Sequence, residues 1–188
     1  MKVICISGKA QHGKDTFARY LARELEHDKR KTLIVHYADM LKWVCSQFMG
    51  WDGEKDEHGR WLLQYVGTNV VRAQDADFWA DTTARLIKYL ETFCGWDYVL
   101  IPDCRFPNEI GALIKLGFDI EHLRVIRPDF DNGLTEVQKN HPSETALDDV
   151  DPDYYIENRG GIENLRDAAE TMAVELEGSH QLCMEEFR

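Results

Sequence analysis

Gly8-Lys9-Ala10-Gln11-His12-Gly13-Lys14 places two glycines and a lysine in the spacing GxxxxGK. Glycines at such positions let backbone N–H groups turn toward a phosphate, and a following helix adds partial positive charge at its N-terminus. Lys14 would then reach β- and γ-phosphates. Asp15 stands where a hydroxyl usually follows the lysine, so Thr16, one place later, is the candidate for contact with phosphate or Mg2+. Asp103 closes an apolar run at Pro102 and could hold Mg2+ directly or through water. Arg105 offers a bidentate fork for an acceptor phosphate. Glu109, one helical turn on, could hold Arg105 or a sugar hydroxyl. Arg72 and Trp79 flank Asp77 in one stretch, which suits phosphate pairing and base stacking, although Trp79 alone reads more readily as core. Arg127 completes a set of cations with Lys14, Arg72 and Arg105, the kind of set that phosphoryl transfer needs. His141 lies in an acidic segment and reads as solvated. The seven histidines form no metal cluster and no Ser-His-Asp arrangement in the sequence.

These residues need a scaffold, and the apolar pattern supplies one. Strands are predicted over 3–7, 32–37, 97–101, 118–126 and 154–157. Helices are predicted over 14–27, 38–49, 61–72, 77–93, 107–116 and 162–177, with a loop over 50–60. Continuous apolar runs such as Val3-Ile4-Cys5-Ile6 suit strands buried on both faces. Alternating strands and helices predict an α/β fold around a parallel sheet of about five strands. The GxxxxGK run falls between the first strand and the first helix, and Asp103 falls at the carboxyl end of a strand, where open α/β sheets bind ligands. Residues 128–153 show no period. They carry eight acidic residues and one basic residue, Lys139, a local charge of −7. A segment of that length in a compact domain reads as a lid.

The 188 residues suffice for a single domain with its own core. A net charge of −12 argues against gripping a nucleic-acid backbone, and a few local cations can still hold a small anion. No apolar run is long enough to span a bilayer, and the N-terminus lacks the features of a signal peptide. Five cysteines without CxxC spacing read as reduced cytosolic thiols.

Together these residues resemble the phage-type deoxynucleoside monophosphate kinases, P-loop enzymes similar to adenylate kinase. The resemblance runs in order through Gly13-Lys14-Asp15-Thr16, Leu63-Gln64-Tyr65-Val66-Gly67-Thr68, Phe78-Trp79, Val99 to Arg105, Glu109, Val125-Ile126-Arg127-Pro128, His141 with Glu144, and Ile156-Glu157-Asn158. It implies a three-layer P-loop fold over 1–188, with 38–96 as an acceptor-binding helical region and 128–153 as the lid. It implies phosphoryl transfer from ATP, with Mg2+, to a deoxynucleoside monophosphate, in a cytoplasmic protein (the host's, if phage-encoded). By motif position, Gly8, Lys9, Gly13, Lys14, Asp15, Thr16 and Asn158 would bind ATP. Leu41, Lys42, Thr68, Arg72, Trp79, Asp103, Arg105 and Glu109 would line the acceptor pocket. Lys14, Asp103, Arg105 and Arg127 would serve catalysis. The chain departs from the family in Ala10-Gln11, where a basic residue is common, and in its acidic lid.

Two other readings fit the same residues: a P-loop kinase with another acceptor, such as a modified nucleotide in DNA or a phosphometabolite, and a nucleotide-binding module without turnover. The tail 178–188, with Leu182, Met184 and Phe187, could pair two copies of the chain.

Overall fold

Val3, Ile4, Cys5 and Ile6 are fully buried, as a strand covered on both faces must be. They form β1 (Lys2–Ser7), the centre of a five-stranded sheet in the order β2-β3-β1-β4-β5. The other strands are β2 (Thr32–Ile34), β3 (Tyr98–Ile101), β4 (Asp119–Ile126) and β5 (Tyr154–Glu157). Every pairing is parallel, with Val3 opposite Val99 on one side and Ile120 on the other. The computed structural model describes residues 1–54 and 56–185, with side chains as far as Gly178. The tail residues read as a dimer contact, Leu182, Met184 and Phe187, lie outside the described side chains.

Helices cover both faces. On one, Phe17, Leu21 and Leu25 of α1 (Lys14–His27) meet Leu165 and Leu176 of α8 (Ile162–Glu185) over Ile4 and Ile6. On the other, Ala84 and Ile87 of α4 (Phe78–Cys94) and Leu113 of α5 (Pro107–Lys115) pack on Val3, Cys5 and Val99. The result is the predicted three-layer α/β arrangement.

The remaining helices are α2 (Ala38–Phe48), α3 (Glu57–Gln64), α6 (Glu136–Lys139) and α7 (Pro142–Thr145). Four boundaries differ from the sequence reading, the first being α8, which runs to Glu185 rather than ending at 177. β2 ends at Ile34 because the chain turns at His36, whose N–H goes to Asp39 Oδ2 at 3.0 Å. α3 begins inside the expected loop because Asp56 caps it, accepting from the Gly59 N–H at 2.7 Å. The segment 128–153 contains two single helical turns, α6 and α7, each with its own side-chain cap, from Thr135 and His141. Cys5, Cys45, Cys94 and Cys104 are free thiols, and no helix among the described residues is long and apolar enough to cross a membrane.

His122 of β4 is buried against Ser7, its Nε2 2.8 Å from Ser7 Oγ. Burial, aided by the Arg124 charge, pushes its pKa down to about 4. The unfolded chain takes up this proton near pH 6.5 and the folded chain only near 4, so stability is lost as pH falls through that window. The loss is on the order of 3 kcal/mol. In urea denaturation, the advantage of wild type over His122→Asn is therefore expected to shrink between pH 7 and pH 5, and an unchanged difference would contradict this assignment.

Candidate active site

Between β1 and α1 the chain folds back over the end of the sheet. Gly8 has φ +139°, and a Cβ there would stand 2.2 Å from the Val125 carbonyl oxygen, so the approach of β4 excludes any side chain. Gly13, at φ +101°, caps α1, and a Cβ would lie 2.7 Å from Leu165 Cδ1. Both glycines of the motif are thus required by close packing around the loop. Lys14 is buried, and its ammonium donates to the carbonyl oxygens of Gly8 at 2.9 Å and Lys9 at 2.8 Å. Burial, then the neighbouring Arg105 charge, lowers its pKa to about 7. The site therefore holds a cation short of solvation, which an anion would relieve.

Asn158 follows β5. It is buried, and its amide donates to the His12 carbonyl at 3.1 Å while its Oδ1 accepts from the Gly161 N–H at 3.0 Å. It supports the back of the loop.

The facing wall is built from β3, α5 and the helices of 38–96. Asp103 Oδ1 and Oδ2 accept the N–H groups of Tyr37 and Ala38 at 2.9 and 3.0 Å, which caps α2 from outside. Glu109 is buried, and its Oε2 accepts from the backbone N–H groups of Arg105 and Phe106 at 2.7 and 3.0 Å. Its Oε1 pairs with Arg72 Nη2 at 2.5 Å. Of the two partners expected for Glu109, Arg105 or a sugar hydroxyl, the fold gives it Arg105, through the backbone N–H, and adds Arg72. Burial pushes Glu109 up to about 7, against the pull of these donors and of Arg72. Arg72 also lies 4.0 Å from the centroid of Phe106.

After α3 the helix widens to a π-helical stretch over Tyr65–Arg72. Such stretches are rare and concentrate at functional sites. Arg60, Gln64, Thr68 and Arg72 recur every fourth residue and all face one cavity. Trp79 is buried and also reaches that cavity, with its Nε1 donating to the Gly67 carbonyl at 3.1 Å.

The segment 128–153 packs against the loop through Glu144 and Asp148. Lys9 Nζ reaches the Glu144 carbonyl and Asp148 Oδ1, both at 2.5 Å. The Ala10 N–H donates to Glu144 Oε2 at 2.9 Å, and Arg105 Nη1 pairs with Glu144 Oε1 and reaches the Ser143 carbonyl at 3.1 Å. His141 is not a solvated residue, since its Nδ1 accepts the Ser143 N–H at 3.2 Å and caps the turn carrying Glu144.

A cavity of about 460 Å³ lies between these walls. It brings together Lys14, Asp15, Leu41, Lys42, Thr68, Arg72, Trp79, Asp103, Arg105 and Glu109. Gly8 and Lys9 border a neighbouring cavity of about 310 Å³, shared with Ser143, Glu144, Leu147 and Asp148. Gly13, Thr16, Asn158 and Arg127 line neither cavity. The Arg127 guanidinium is stacked 3.8 Å from the Phe130 ring centroid, and its backbone N–H donates to His12 Nδ1 at 3.2 Å. Lys14, Arg72 and Arg105 share a cavity that Arg127 does not line. Sequence reasoning missed Tyr37, Phe106 and Gln138 as lining residues and gave Glu144 no task. Of these, only Glu144 carried a signal, its place beside His141 in the resemblance. Among the described residues no group of three or more His, Cys, Asp or Glu side chains is placed to hold a metal ion.

A parallel β2-β3-β1-β4-β5 sheet with a glycine-bounded loop leading into α1 defines a P-loop α/β protein. Among solved structures, the APS kinase of Mycobacterium tuberculosis in complex with AMPPNP and APS has this fold, with a TM-score of 0.55, 13% identity, and coverage of 94% of this chain and 97% of that one. A sugar kinase from Janibacter sp. HTCC2649 superimposes with a TM-score of 0.51 at 14% identity, covering 91% of this chain and 93% of that one. At these identities the likeness concerns the fold. A family model described as deoxynucleotide monophosphate kinase matches residues 28–168, and the chain belongs to that family. The deoxynucleotide monophosphate kinase of Enterobacteria phage T4 is 33% identical over 108 residues, which are 56% of this chain and 41% of the phage protein. The match thus spans about two fifths of that relative's length.

Proposed function

We propose that the protein transfers the γ-phosphoryl group of ATP to a deoxynucleoside monophosphate, giving ADP and the diphosphate. The observation that carries this reading is one cavity with Lys14 of the phosphate loop on one wall and Arg105, Arg72 and Trp79 on the other. Phosphoryl transfer needs alignment and cations more than covalent help, and such a cavity supplies both.

In this reading Gly8, Lys9, Gly13, Lys14, Asp15 and Thr16 cradle the donor, with Asn158 holding the loop from behind. Leu41, Lys42, Thr68, Arg72 and Trp79 surround the acceptor. Arg105 takes the acceptor phosphate, and Glu109 fixes Arg105 through its backbone. Residues 38–96 form the acceptor region and 128–153 the lid of a single domain. Thr16 and Asp103 are the residues we assign to Mg2+. Both Asp103 oxygens already accept a backbone N–H, so a bridging water suits it better than direct ligation. When bound there, Mg2+ would neutralise charge that develops on the transferring phosphoryl group.

Arg105→Ala tests the division of labour. The acceptor KM is expected to rise by about tenfold or more, as for a lost charge-assisted contact, while ATP affinity changes little. Steady-state kinetics with each substrate varied measures both. An equal loss of ATP affinity would put Arg105 on the donor side, and no ATP-dependent diphosphate formation by wild type would overturn the reading.

A further inference from the structure

The lid contributes no cation to the main cavity. Its lining residues there are Leu134, Gln138, Ser143 and Glu144, and its sole basic residue, Lys139, is paired with Asp131 and Glu136. What the lid brings to the cations is a carboxylate. Glu144 Oε2 accepts from the loop N–H of Ala10, and Glu144 Oε1 pairs with the Arg105 guanidinium. One oxygen therefore binds the donor side of the site and the other binds the acceptor side. The side chain is only 10% exposed, and its charge is among those acting on Lys14.

We propose that Glu144 is an internal stand-in for the transferred phosphoryl group, holding the place between the phosphate loop and Arg105 until substrate phosphate displaces it. The proposal rests on the kinase reading above and adds a competitor to it. Carboxylate and phosphoryl oxygens accept the same charge-assisted hydrogen bonds. Two anions crowded against Lys14 and Arg105 would repel in a site short of water.

The local sequence delivers Glu144 to this place. Pro142 starts α7, His141 caps it, and Glu144 falls in its first turn. Lys9 then ties the Glu144 carbonyl and Asp148 to the loop. Arg124 Nη2 fixes the next stretch by donating to the carbonyls of Leu147 and Val150 at 2.5 and 2.6 Å. Seating of Glu144 and binding of phosphate thus exclude each other, and the apparent affinity for nucleotide is reduced by the fraction of molecules in which Glu144 is seated.

The test is calorimetric titration of the full chain with ATP for wild type, Glu144→Gln and Glu144→Asp, after thermal melts confirm folding. Glu144→Gln, which removes the competing charge, is expected to bind ATP about tenfold more tightly. Glu144→Asp keeps the charge but cannot span both partners, and is expected to shift affinity the same way by less. A side chain that only braces the lid would give the opposite sign, so unchanged or weaker ATP binding in both variants overturns the proposal while leaving the kinase reading intact. Failure of wild type and both variants alike to bind ATP overturns the phosphate-loop reading and the stand-in with it.

Discussion

Lys14→Ala is expected to reduce turnover by about 10³-fold or more while leaving the protein folded. The ammonium sits at the mouth of the phosphate loop, on a buried side chain that lines the cavity, where one positioned donor to developing charge is worth about two to three orders of magnitude. Its present partners are the carbonyls of Gly8 and Lys9, so alanine removes a charge that the fold desolvates and leaves two loop carbonyls beside the cavity. The hydrophobic faces of α1 do not depend on it, since Phe17, Leu21 and Leu25 carry the packing. The expected signature is a large fall in kcat with a melting temperature close to wild type. Near-normal turnover in a folded variant would remove the loop from the mechanism.

Arg72→Ala is expected to damage stability as well as acceptor use, and to do so in a pH-dependent way. Arg72 is the charged partner of Glu109, whose side chain is 2% exposed. Breaking a buried pair from one side typically costs about 3–5 kcal/mol, because the remaining charge is left uncompensated. Here the remaining charge has an escape. Glu109 already titrates near 7, and without Arg72 the proton is held still more tightly. Its folded pKa lies above the unfolded value, so the stability linked to this proton is present at low pH and lost as pH rises through the folded pKa. Oε1 can carry the proton while Oε2 keeps accepting from the Arg105 and Phe106 N–H groups. The variant is therefore expected to lose the full amount at pH 8 and to recover part of it at pH 6, read as urea midpoints against wild type at each pH. A deficit that does not change with pH would show that Glu109 stays ionised in both proteins.

These two residues also mark what the sequence makes legible. The loop at Gly8–Lys14 is local: two glycines at a fixed spacing between an apolar run and an amphipathic helix state their geometry directly, and the fold bears out both flanking elements at nearly the expected bounds. The parallel sheet follows from the same pattern repeated. Partnerships across long separations leave no such trace. Glu109 is one turn from Arg105 in sequence and does hold its backbone N–H, but its ionic partner Arg72 comes from the π-helical stretch 37 residues earlier. Residue patterning does not distinguish that widened stretch from an α-helix. Glu144 lies 134 residues from the Ala10 N–H it accepts, in a segment with no period to predict an orientation. Arg127 shows a different limit: it directly follows β4, and the ring stacked on its guanidinium, Phe130, is only three residues away, a contact set by how the aperiodic segment turns there.

The central claim is tested most directly by ADP release from ATP and Mg2+ against dGMP, dTMP, dCMP, dAMP, 5-hydroxymethyl-dCMP and the ribonucleotides, with Lys14→Ala as the blank. Turnover with one or more deoxynucleoside monophosphates, matched by the corresponding diphosphate and absent from the blank, is the predicted result. ATP binding without ADP release across the whole panel would contradict it.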